Sequence, residues 1–190
     1  KQMGELVLEN TANAHNLKTL ALRYFNPVGA HTSAMIGENT PDRPNNLMPI
    51  ITRTAAGLIE QMQVWGSDYD TRDGSCIRDY IHVTDIAIAH VKAMEYLLED
   101  KVLPTYQVLN LGSGNGVSVL EAIRAFEKES GIKLNYALGP RREGDVIAVY
   151  ADNSKAKNML NWETTYGVEE MMRTAWAWQQ ELLKRDKMSW

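Results

Sequence analysis

Two largely apolar segments, residues 17–25 and 105–111, constrain the fold of this chain more than any other feature. Both have the composition of buried strands in a parallel sheet. Helical patterns lie before, between and after them, so helices and strands alternate along all 190 residues. Such alternation is typical of α/β proteins. The sequence therefore predicts an α/β fold in which these two segments are central strands of a parallel sheet and the remaining segments form a smaller lobe.

Local start and stop signals predict the individual elements. Helices are expected over residues 1–14, 47–59, 84–98, 119–130, 152–160 and 167–183, and further strands over residues 63–66, 77–83 and 134–138. Asn46 is predicted to cap the second helix. Ser118 and Glu121 form a capping-box pattern, and Gly131 ends the helix that they begin. Residues 31–46 are irregular, and a loop of this length is usually functional or disordered.

Charge and composition exclude several classes of function. The net charge is −4 with a pI near 5.6, whereas a general nucleic-acid binder needs a basic face. No apolar run reaches the ~18 residues of a membrane span, so neither a nucleic acid nor a membrane is predicted as a partner. The single cysteine, Cys76, excludes an internal disulfide and fits a reducing compartment, so we expect a cytoplasmic protein. The four histidines lie far apart, and no metal site is predicted.

A strand that runs directly into a helix, residues 76–85, is the first candidate for a site. Alternation places Arg78, Tyr80 and His82 on one face of the strand. A guanidinium suits phosphate, and a phenol can hydrogen-bond a sugar or phosphate oxygen. An exposed strand end with a helix cap at Thr84 or Asp85 explains the same residues without any function, and this segment alone slightly favours that interpretation.

A glycine-rich turn, residues 112–116 (GSGNG), follows the second apolar strand and precedes a helix. The position invites a dinucleotide-binding interpretation. The spacing is G-x-G-x-G, however, and no acidic residue ends a strand about twenty positions later, as the fingerprint requires. A structural turn is therefore the favoured interpretation.

The combination of separated polar residues strengthens the functional interpretation. Arg78 and Arg142 each lie in a turn or strand end beside an aspartate, and two guanidinium forks suit a diphosphate. Asn26, Asn45 and Asn46 follow apolar segments and supply amides for sugar hydroxyls. These residues together predict a nucleotide-sugar site, although solvated surface charges remain an alternative for the arginines.

Eight motifs, taken together, resemble one enzyme family. They are residues 22–31 (LRYFNPVGAH), 36–38 (IGE), 45–49 (NNLMP), 65–69 (WGSDY), 73–74 (DG), 78–85 (RDYIHVTD), 109–114 (LNLGSG) and 141–145 (RREGD). The chain, from its first residue to about Trp178, resembles the UDP-glucose 4-epimerases, which are extended short-chain dehydrogenase/reductases. The motif at 78–85 recurs loosely in other members of that superfamily, whereas the motifs at 22–31 and 45–49 are much narrower.

This resemblance implies the C-terminal part of a Rossmann-type sheet plus a substrate lobe. Residues 1–30 would end the NAD-binding Rossmann domain, and residues 31–190 would form the UDP-sugar lobe, with residues 105–130 returning to the Rossmann sheet. The glycine fingerprint and the catalytic tyrosine would precede Lys1, so the chain would be a fragment without epimerase activity of its own. Members of the family often dimerise, so a homodimer is one assembly open to the complete enzyme.

The resemblance also assigns roles to individual residues. The family chemistry is oxidation of the sugar at C4 by NAD, rotation of the 4-keto intermediate and return of the hydride to its other face. Lys1 would partner the catalytic tyrosine four positions earlier, and Phe25 would contact the nicotinamide region. The predicted substrate residues are Asn26, Asn45, Asn46 and Leu47 at the UDP-sugar, Gln63 and Trp65 at the uracil, Arg78, Tyr80 and Arg142 at the diphosphate, Asp145 at the ribose and Val149 at C2 of the sugar.

Valine at position 149 implies a breadth of substrate. Family members restricted to plain hexoses typically hold a tyrosine there, so the resemblance implies room for N-acetylated UDP-hexosamines, unless Tyr150 fills the space. An ordinary strand residue is an equally weighted interpretation of Val149. Two other functions stay open for the chain as a whole. One is a different nucleotide-sugar enzyme of the superfamily, such as a decarboxylase or 4,6-dehydratase, and the other is a non-catalytic UDP-sugar-binding module.

Overall fold

A computed structural model describes residues 1–40, 44–99 and 104–188, with side chains described up to residue 185. Helices and strands alternate along the chain. Their order is α1 (Gln2–His15), β1 (Thr19–Tyr24), β2 (Asn26–Val28), α2 (Leu47–Ala55), β3 (Met62–Trp65), β4 (Ile77–His82), α3 (Val83–Leu98), β5 (Tyr106–Leu111), β6 (Gly116–Ser118), α4 (Val119–Ser130), β7 (Tyr136–Gly139), β8 (Ala148–Val149), α5 (Ser154–Leu160) and α6 (Val168–Met188).

In the described part of the chain, the strands form three small sheets dominated by parallel pairs. The two apolar segments pair with each other, β1 beside β5 in parallel, with Thr19 opposite Tyr106 and Tyr24 opposite Leu111. β3 pairs with β7 in parallel. β2 and β8 pair in parallel with β4, and β6 pairs with it antiparallel. The predicted α/β class is confirmed, because parallel pairs joined by helices are the hallmark of that class.

The strand β4 connects the most segments of the molecule. It pairs with β2, β6 and β8, so residues before, after and far beyond it in sequence meet along its length. Its burial increases from half-buried Ile77 and Arg78 to fully buried Ile81 and His82. Alternation holds as predicted, since Tyr80 packs in one hydrophobic core and Ile81 in the other. The strand therefore separates two cores and presents a different face to each.

The first core fills the space between the helices α2, α4 and α6. Phe126, Ile51 and Met172 are fully buried there, and Trp176 meets the Phe126 ring edge-on with centroids 5.7 Å apart. The second core lies between β1, β5, α3 and α5 and is centred on buried Trp162 and Leu109. Burying side chains of this size stabilises each cluster by roughly 1.5–3 kcal/mol per residue.

The helix starts follow the local signals closely. Ser118 accepts a hydrogen bond from Glu121 N, and the Glu121 carboxylate accepts from Ser118 N, so the predicted capping box is confirmed. Gly131 ends α4 in the left-handed conformation with φ 71°. Asn46 is the N-cap of α2, but its side chain makes no capping hydrogen bond.

Several predicted boundaries need correction. The α2 helix ends at Ala55 rather than at residue 59, because the chain turns at Gly57 with φ 73°. The predicted cap of α3 at Thr84 or Asp85 is wrong, since the helix begins at Val83 and the His82 imidazole accepts from Thr84 N. The two apolar strands are half-buried and form a parallel sheet of two strands within the described residues. Three short strands, β2, β6 and β8, were not predicted.

Residues 31–40 and 44–46 of the predicted long loop contain neither helix nor strand, and its positions 41–43 lie outside the described residues. In the part of the chain that the structure describes, none of the helices combines the length and apolar character that crossing a membrane requires.

Candidate active site

One cleft of about 330 Å³ collects polar side chains from five separated segments of the chain. Its walls are β2, the start of α2, β3, β4 and the turn before β8. The lining residues are Asn26, Pro27, Val28, Asn45, Asn46, Leu47, Met48, Ile50, Gln63, Val64, Trp65, Cys76, Arg78, Tyr80, Val119, Arg142 and Asp145. Ten of the predicted substrate residues thus lie on one cleft.

Arg78 is held at the cleft wall by hydrogen bonds to three neighbouring residues of the chain. One guanidinium nitrogen, Nη1, donates to Ile77 O at 2.9 Å and to Val146 O at 2.6 Å. The other, Nη2, donates to Asp145 Oδ1 at 3.3 Å, and both side chains of this ion pair are more than two-thirds buried. A guanidinium carries five N–H donors. Three are engaged here, so two are left for a ligand in the cleft.

The neighbouring arginines at the turn have different environments. Arg142 lines the cleft, is exposed, and has no side-chain hydrogen bond or ion pair within residues 1–40, 44–99 and 104–188. Arg141 instead donates to Asp68 Oδ1 at 2.8 Å and lies over the Tyr69 ring at 4.4 Å. Its guanidinium lowers the pKa of the Asp68 carboxyl mainly through this hydrogen bond. Of the two, Arg142 is therefore the one with donors available to an anion.

Three asparagine side chains contribute amide groups to the cleft. Asn26 donates through Nδ2 to Asp79 O at 2.8 Å, which fixes its orientation and leaves its carbonyl oxygen as an acceptor. Asn45 and Asn46 are exposed at the start of α2. Because Asn46 does not cap its helix with its side chain, both polar ends of that amide are available to a ligand.

The strand β3 forms the opposite wall. Its buried residues are Met62 and Val64, while Gln63 and Trp65 are exposed. The Gln63 side chain donates through Nε2 to Ala137 O at 3.1 Å on β7. On its other edge β3 pairs with no strand in the part of the chain that the structure describes, so backbone groups there can bind a planar polar ring.

Tyr80 lies at the floor of the cleft with 6% of its surface exposed. Burial raises the pKa of its phenol, and the charge of Arg78 opposes this shift only in part. The hydroxyl therefore stays protonated at neutral pH. Within the described residues it has no hydrogen-bond partner, which leaves it as a neutral donor facing a ligand.

Three predicted site residues do not line this cleft. Lys1 is exposed immediately before α1, and half-buried Phe25 donates its backbone N–H to Leu111 O at 3.1 Å. Val149 lies on β8 beside Arg78, with 39% of its surface exposed. None of the three is a lining residue of the cleft, and their predicted roles stay predictions.

The apolar part of the wall was not predicted from the sequence. Met48 and Ile50 come from α2, Val64 from β3 and Val119 from the start of α4. Cys76, immediately before β4, is buried and also lines the cleft. Periodicity identifies Met48 and Val64 as inward-facing, but it gives no sign that they border a cleft instead of a closed core.

His82 has a structural environment, unlike the other two polar residues on its face of β4. Its Nδ1 accepts from Thr84 N at 3.1 Å, so the neutral ring carries its proton on Nε2 and donates it to Thr174 Oγ1 at 3.0 Å. The ring stacks on Tyr166 with centroids 4.4 Å apart. Burial lowers the pKa of this imidazole. His82 thus joins β4, α3 and α6 as a buried neutral group.

The glycine-rich turn has its backbone donors occupied by a carboxylate. Ser113 N donates to Asp79 Oδ1 at 2.9 Å, and Gly114 N donates to Asp79 Oδ2 at 3.0 Å. A pyrophosphate would need these same amides. The turn therefore does not fit the phosphates of a dinucleotide, which agrees with the structural interpretation. No group of three or more potential metal-ligating side chains lies together in the described part of the chain.

Comparisons with known proteins agree with the motifs. The sequence model of the family described as GDP-mannose 4,6 dehydratase matches residues 1–175. A UDP-glucose 4-epimerase of Erwinia amylovora is 47% identical over 182 residues, which are 95% of this chain and 53% of that protein. The chain thus spans about half the length of the relatives that it matches.

Solved structures give the same result. The UDP-glucose 4-epimerase of Stenotrophomonas maltophila, crystallised with NAD and formylated UDP-arabinopyranose, superposes with a TM-score of 0.92 at 44% identity over 97% of this chain and 55% of that chain. The enzyme of Bifidobacterium longum with NAD⁺ and UDP gives 0.87 at 43% identity over 95% of this chain and 53% of that chain. The predicted fold class and the predicted resemblance are both confirmed, and the chain belongs to the GDP-mannose 4,6 dehydratase family and is similar, over nearly its whole length, to UDP-glucose 4-epimerases.

Proposed function

We propose that this chain is the UDP-sugar-binding part of a UDP-glucose 4-epimerase, an isomerase, and that the cleft holds the nucleotide sugar. The observation that carries the proposal is the convergence of two guanidinium groups, three amides, a buried neutral phenol and a carboxylate on one cleft of about 330 Å³. The relatives named UDP-glucose 4-epimerase, one of them crystallised with UDP, support it.

Each part of a UDP-sugar meets a suitable group. Arg142 and the two unengaged donors of Arg78 suit the diphosphate, because charge-assisted hydrogen bonds to phosphate are the strong ones. Asp145 has one oxygen bound to Arg78 and another left for the ribose hydroxyls. The free edge of β3 at Gln63 and Trp65 suits the uracil.

The sugar would lie against the remaining polar wall. Asn26, Asn45, Asn46 and Leu47 all line the cleft, and the asparagine amides carry both donors and acceptors for hydroxyl groups. The Tyr80 hydroxyl would donate to a phosphate or sugar oxygen from the floor. Val149, beside Arg78 on β8, would face C2 of the sugar and leave space for an acetamido group.

We propose NAD as the cofactor of the complete enzyme, as the similar structures that contain it suggest. NAD, when bound, supplies hydride transfer at C4 of the sugar. Lys1 and Phe25 are the residues of this chain proposed to lie near it. Its phosphates need donors other than the occupied turn at residues 112–116.

We also propose a division of the chain in which residues 1–30 end the NAD-binding domain and residues 31–190 form the substrate lobe, with residues 105–130 returning to the first. The parallel pairing of β1 with β5 supports it. A cytoplasmic location is proposed from the single buried cysteine. A homodimer is the assembly that the family suggests for the complete enzyme.

Calorimetric titration of the chain with UDP, UMP and GDP tests the binding function. UDP should bind most tightly, since UMP lacks the second phosphate and GDP carries a larger base than the β3 wall is proposed to accept. Loss of one phosphate should weaken binding by roughly 1.5–3 kcal/mol, the range for hydrogen bonds to charged groups. Equal or tighter GDP binding would instead favour a GDP-sugar enzyme, which the description of the matching family names.

A further inference from the structure

We infer that Asp79, although it faces away from the cleft, is a positioning residue that fixes the diphosphate-binding wall through Arg78 and the segment of residues 145–151. This inference rests on the proposed function, because it assigns a role at the same UDP-sugar site. Asp79 is not itself a lining residue of the cleft, although its backbone oxygen accepts from the lining residue Asn26.

The carboxylate of Asp79 is fully buried and saturated with hydrogen bonds. Oδ1 accepts from Ser113 N at 2.9 Å and from Ser113 Oγ at 2.6 Å. Oδ2 accepts from Gly114 N at 3.0 Å and from Ala151 N at 3.0 Å. An ionised carboxylate offers about four acceptor sites, and all are used. No ion pair to Asp79 exists within the described ranges, so fixed backbone dipoles and a hydroxyl alone stabilise this charge.

Two adjacent residues of β4 hold the two ends of one segment. Arg78 binds its beginning, through Asp145 Oδ1 and Val146 O. Asp79 binds its end, through Ala151 N. Between these ends, β8 pairs with β4 at Ile77 and Arg78. Hydrogen bonds to β4 therefore hold residues 145–151 at both ends, and the conformation of this segment determines the position of Asp145 relative to Arg78.

The glycine-rich turn closes over the same carboxylate. A side chain at Gly112 would place its Cβ 2.5 Å from Asp79 Oδ2 and 2.5 Å from the Ala151 Cβ. The turn, Asp79 and Ala151 therefore pack with no intervening space. Since interiors packed this closely do not deform continuously, a change at Asp79 must be transmitted to Ala151 and to the segment that it ends.

Replacing the Asp79 carboxylate by a neutral amide would weaken its hydrogen bonds to the turn and to Ala151. In Asp79→Asn an amide nitrogen replaces one acceptor oxygen, so at least one buried backbone N–H, of Ser113 or of Gly114 and Ala151, meets a donor and loses its partner, which is costly. Where the amide oxygen still faces Ala151 N, it is a neutral acceptor and binds more weakly than a carboxylate. The hold on the end of the segment is therefore weakened, and Arg78 loses the fixed position of Val146 O and Asp145 on which its orientation depends.

The test compares Asp79→Asn with Asp85→Asn in the whole 190-residue chain. Asp85 is the matched control, because it is also fully buried and accepts two backbone hydrogen bonds, from Thr165 N at 3.0 Å and Tyr166 N at 3.1 Å, but does not contact the cleft. Urea unfolding measures stability, calorimetry measures UDP affinity, and hydrogen exchange without ligand measures the protection of residues 145–151.

We expect Asp79→Asn to weaken UDP binding by about tenfold and to raise exchange in residues 145–151. Asp85→Asn should lose stability while its UDP affinity stays within about twofold of wild type. The double variant Asp79→Asn/Arg78→Ala should lose clearly less UDP affinity than the sum of the two single losses, since the part of the Asp79 effect that passes through Arg78 is absent once Arg78 is removed.

Three outcomes overturn the inference. They are equal UDP affinity losses in the two asparagine variants, unchanged exchange in residues 145–151, or additive losses in the double variant. If Asp79→Asn does not fold, Ser113→Ala removes one of the four hydrogen bonds, and a loss of about twofold to threefold that becomes smaller in the Arg78→Ala background supports the same role. Absence of UDP binding in the wild-type chain would refute the proposed function, whereas the exchange result is read without any ligand.

Discussion

The glycine-rich turn and the cleft are two regions that both look suited to phosphate in the sequence, yet only the cleft has donors to offer. At the turn, Ser113 N and Gly114 N already bond the Asp79 carboxylate. In the cleft, Arg142 has no side-chain partner among the described residues, and Arg78 keeps two free N–H donors. An anion site is therefore marked by donors that remain unpaired, and composition alone does not reveal pairing.

Both regions depend on the same strand. β4 turns Arg78 and Tyr80 towards the cleft and Asp79 towards the turn. On the side of the turn, the Asp79 carboxylate is an anion that belongs to the protein itself. On the side of the cleft, the guanidinium groups and the Tyr80 hydroxyl remain available to an anionic ligand. Because a buried charge must be compensated, the internal carboxylate cannot be exchanged for a ligand without large cost. Substitutions at the turn should therefore act mainly on stability, and substitutions in the cleft mainly on ligand affinity.

The largest effect is expected at the turn, from Gly112→Ala. The added Cβ would clash with Asp79 and Ala151, so we expect a loss of about 3 kcal/mol in the free energy of unfolding, from overpacking and disturbed hydrogen bonds.

Gly131→Ala is the matched control for that substitution. Gly131 has φ 71° but no atoms within 4 Å of an added Cβ, so this variant should lose only about 1–2 kcal/mol from backbone strain. Urea unfolding measures both variants, and equal losses would show that the turn is not closed over Asp79.

Arginine substitutions in the cleft should act on ligand affinity. Arg142→Ala should weaken UDP binding by roughly 1.5–3 kcal/mol while the stability of the free chain stays within about 0.5 kcal/mol. Arg78→Ala should weaken UDP binding by a similar amount and also lower stability by about 1 kcal/mol, because it releases Val146 O and Asp145.

Arg141→Ala is the control for these variants, since its guanidinium bonds Asp68 outside the cleft. Its UDP affinity should stay within about twofold of wild type. Arg→Lys at position 142 should restore affinity only in part, because an ammonium lacks the bidentate fork. Calorimetry with unchanged affinity in both Arg78→Ala and Arg142→Ala would refute the shared diphosphate site.

The smallest effect is expected from Val149→Tyr, on the segment that joins the two regions. A tyrosine beside Arg78 should reduce the space at C2 of the sugar, so UDP-N-acetylglucosamine should bind about tenfold more weakly than to wild type, with UDP-glucose little affected. Calorimetry with both sugars measures this difference. If the variant weakens both sugars equally, Val149 is an ordinary strand residue.

Much of the fold was predictable, because its signals are local. The spacing of Ser118 and Glu121 predicts the capping box that the structure contains. Period-two alternation correctly divides β4 into two faces. The short strands β2, β6 and β8 were missed, since two or three residues carry no periodicity to detect. Alternation places His82 on the same face as Arg78 and Tyr80. It gives no sign that the imidazole bonds Thr174 and stacks on Tyr166, both far away in the sequence.

Local patterns were enough to predict the alternating α/β layout, most helix starts and the kinds of polar side chain present, because these depend on residues close together in the chain. Which polar groups are hydrogen-bonded within the protein and which remain available to a ligand depends on contacts between distant segments. The Asn26 amide donates to Asp79 O, 53 positions later in the sequence, and Ala151 N donates to the Asp79 carboxylate, 72 positions earlier. Pairing over such separations depends on how β4 aligns with its three partners, and no local pattern encodes that alignment.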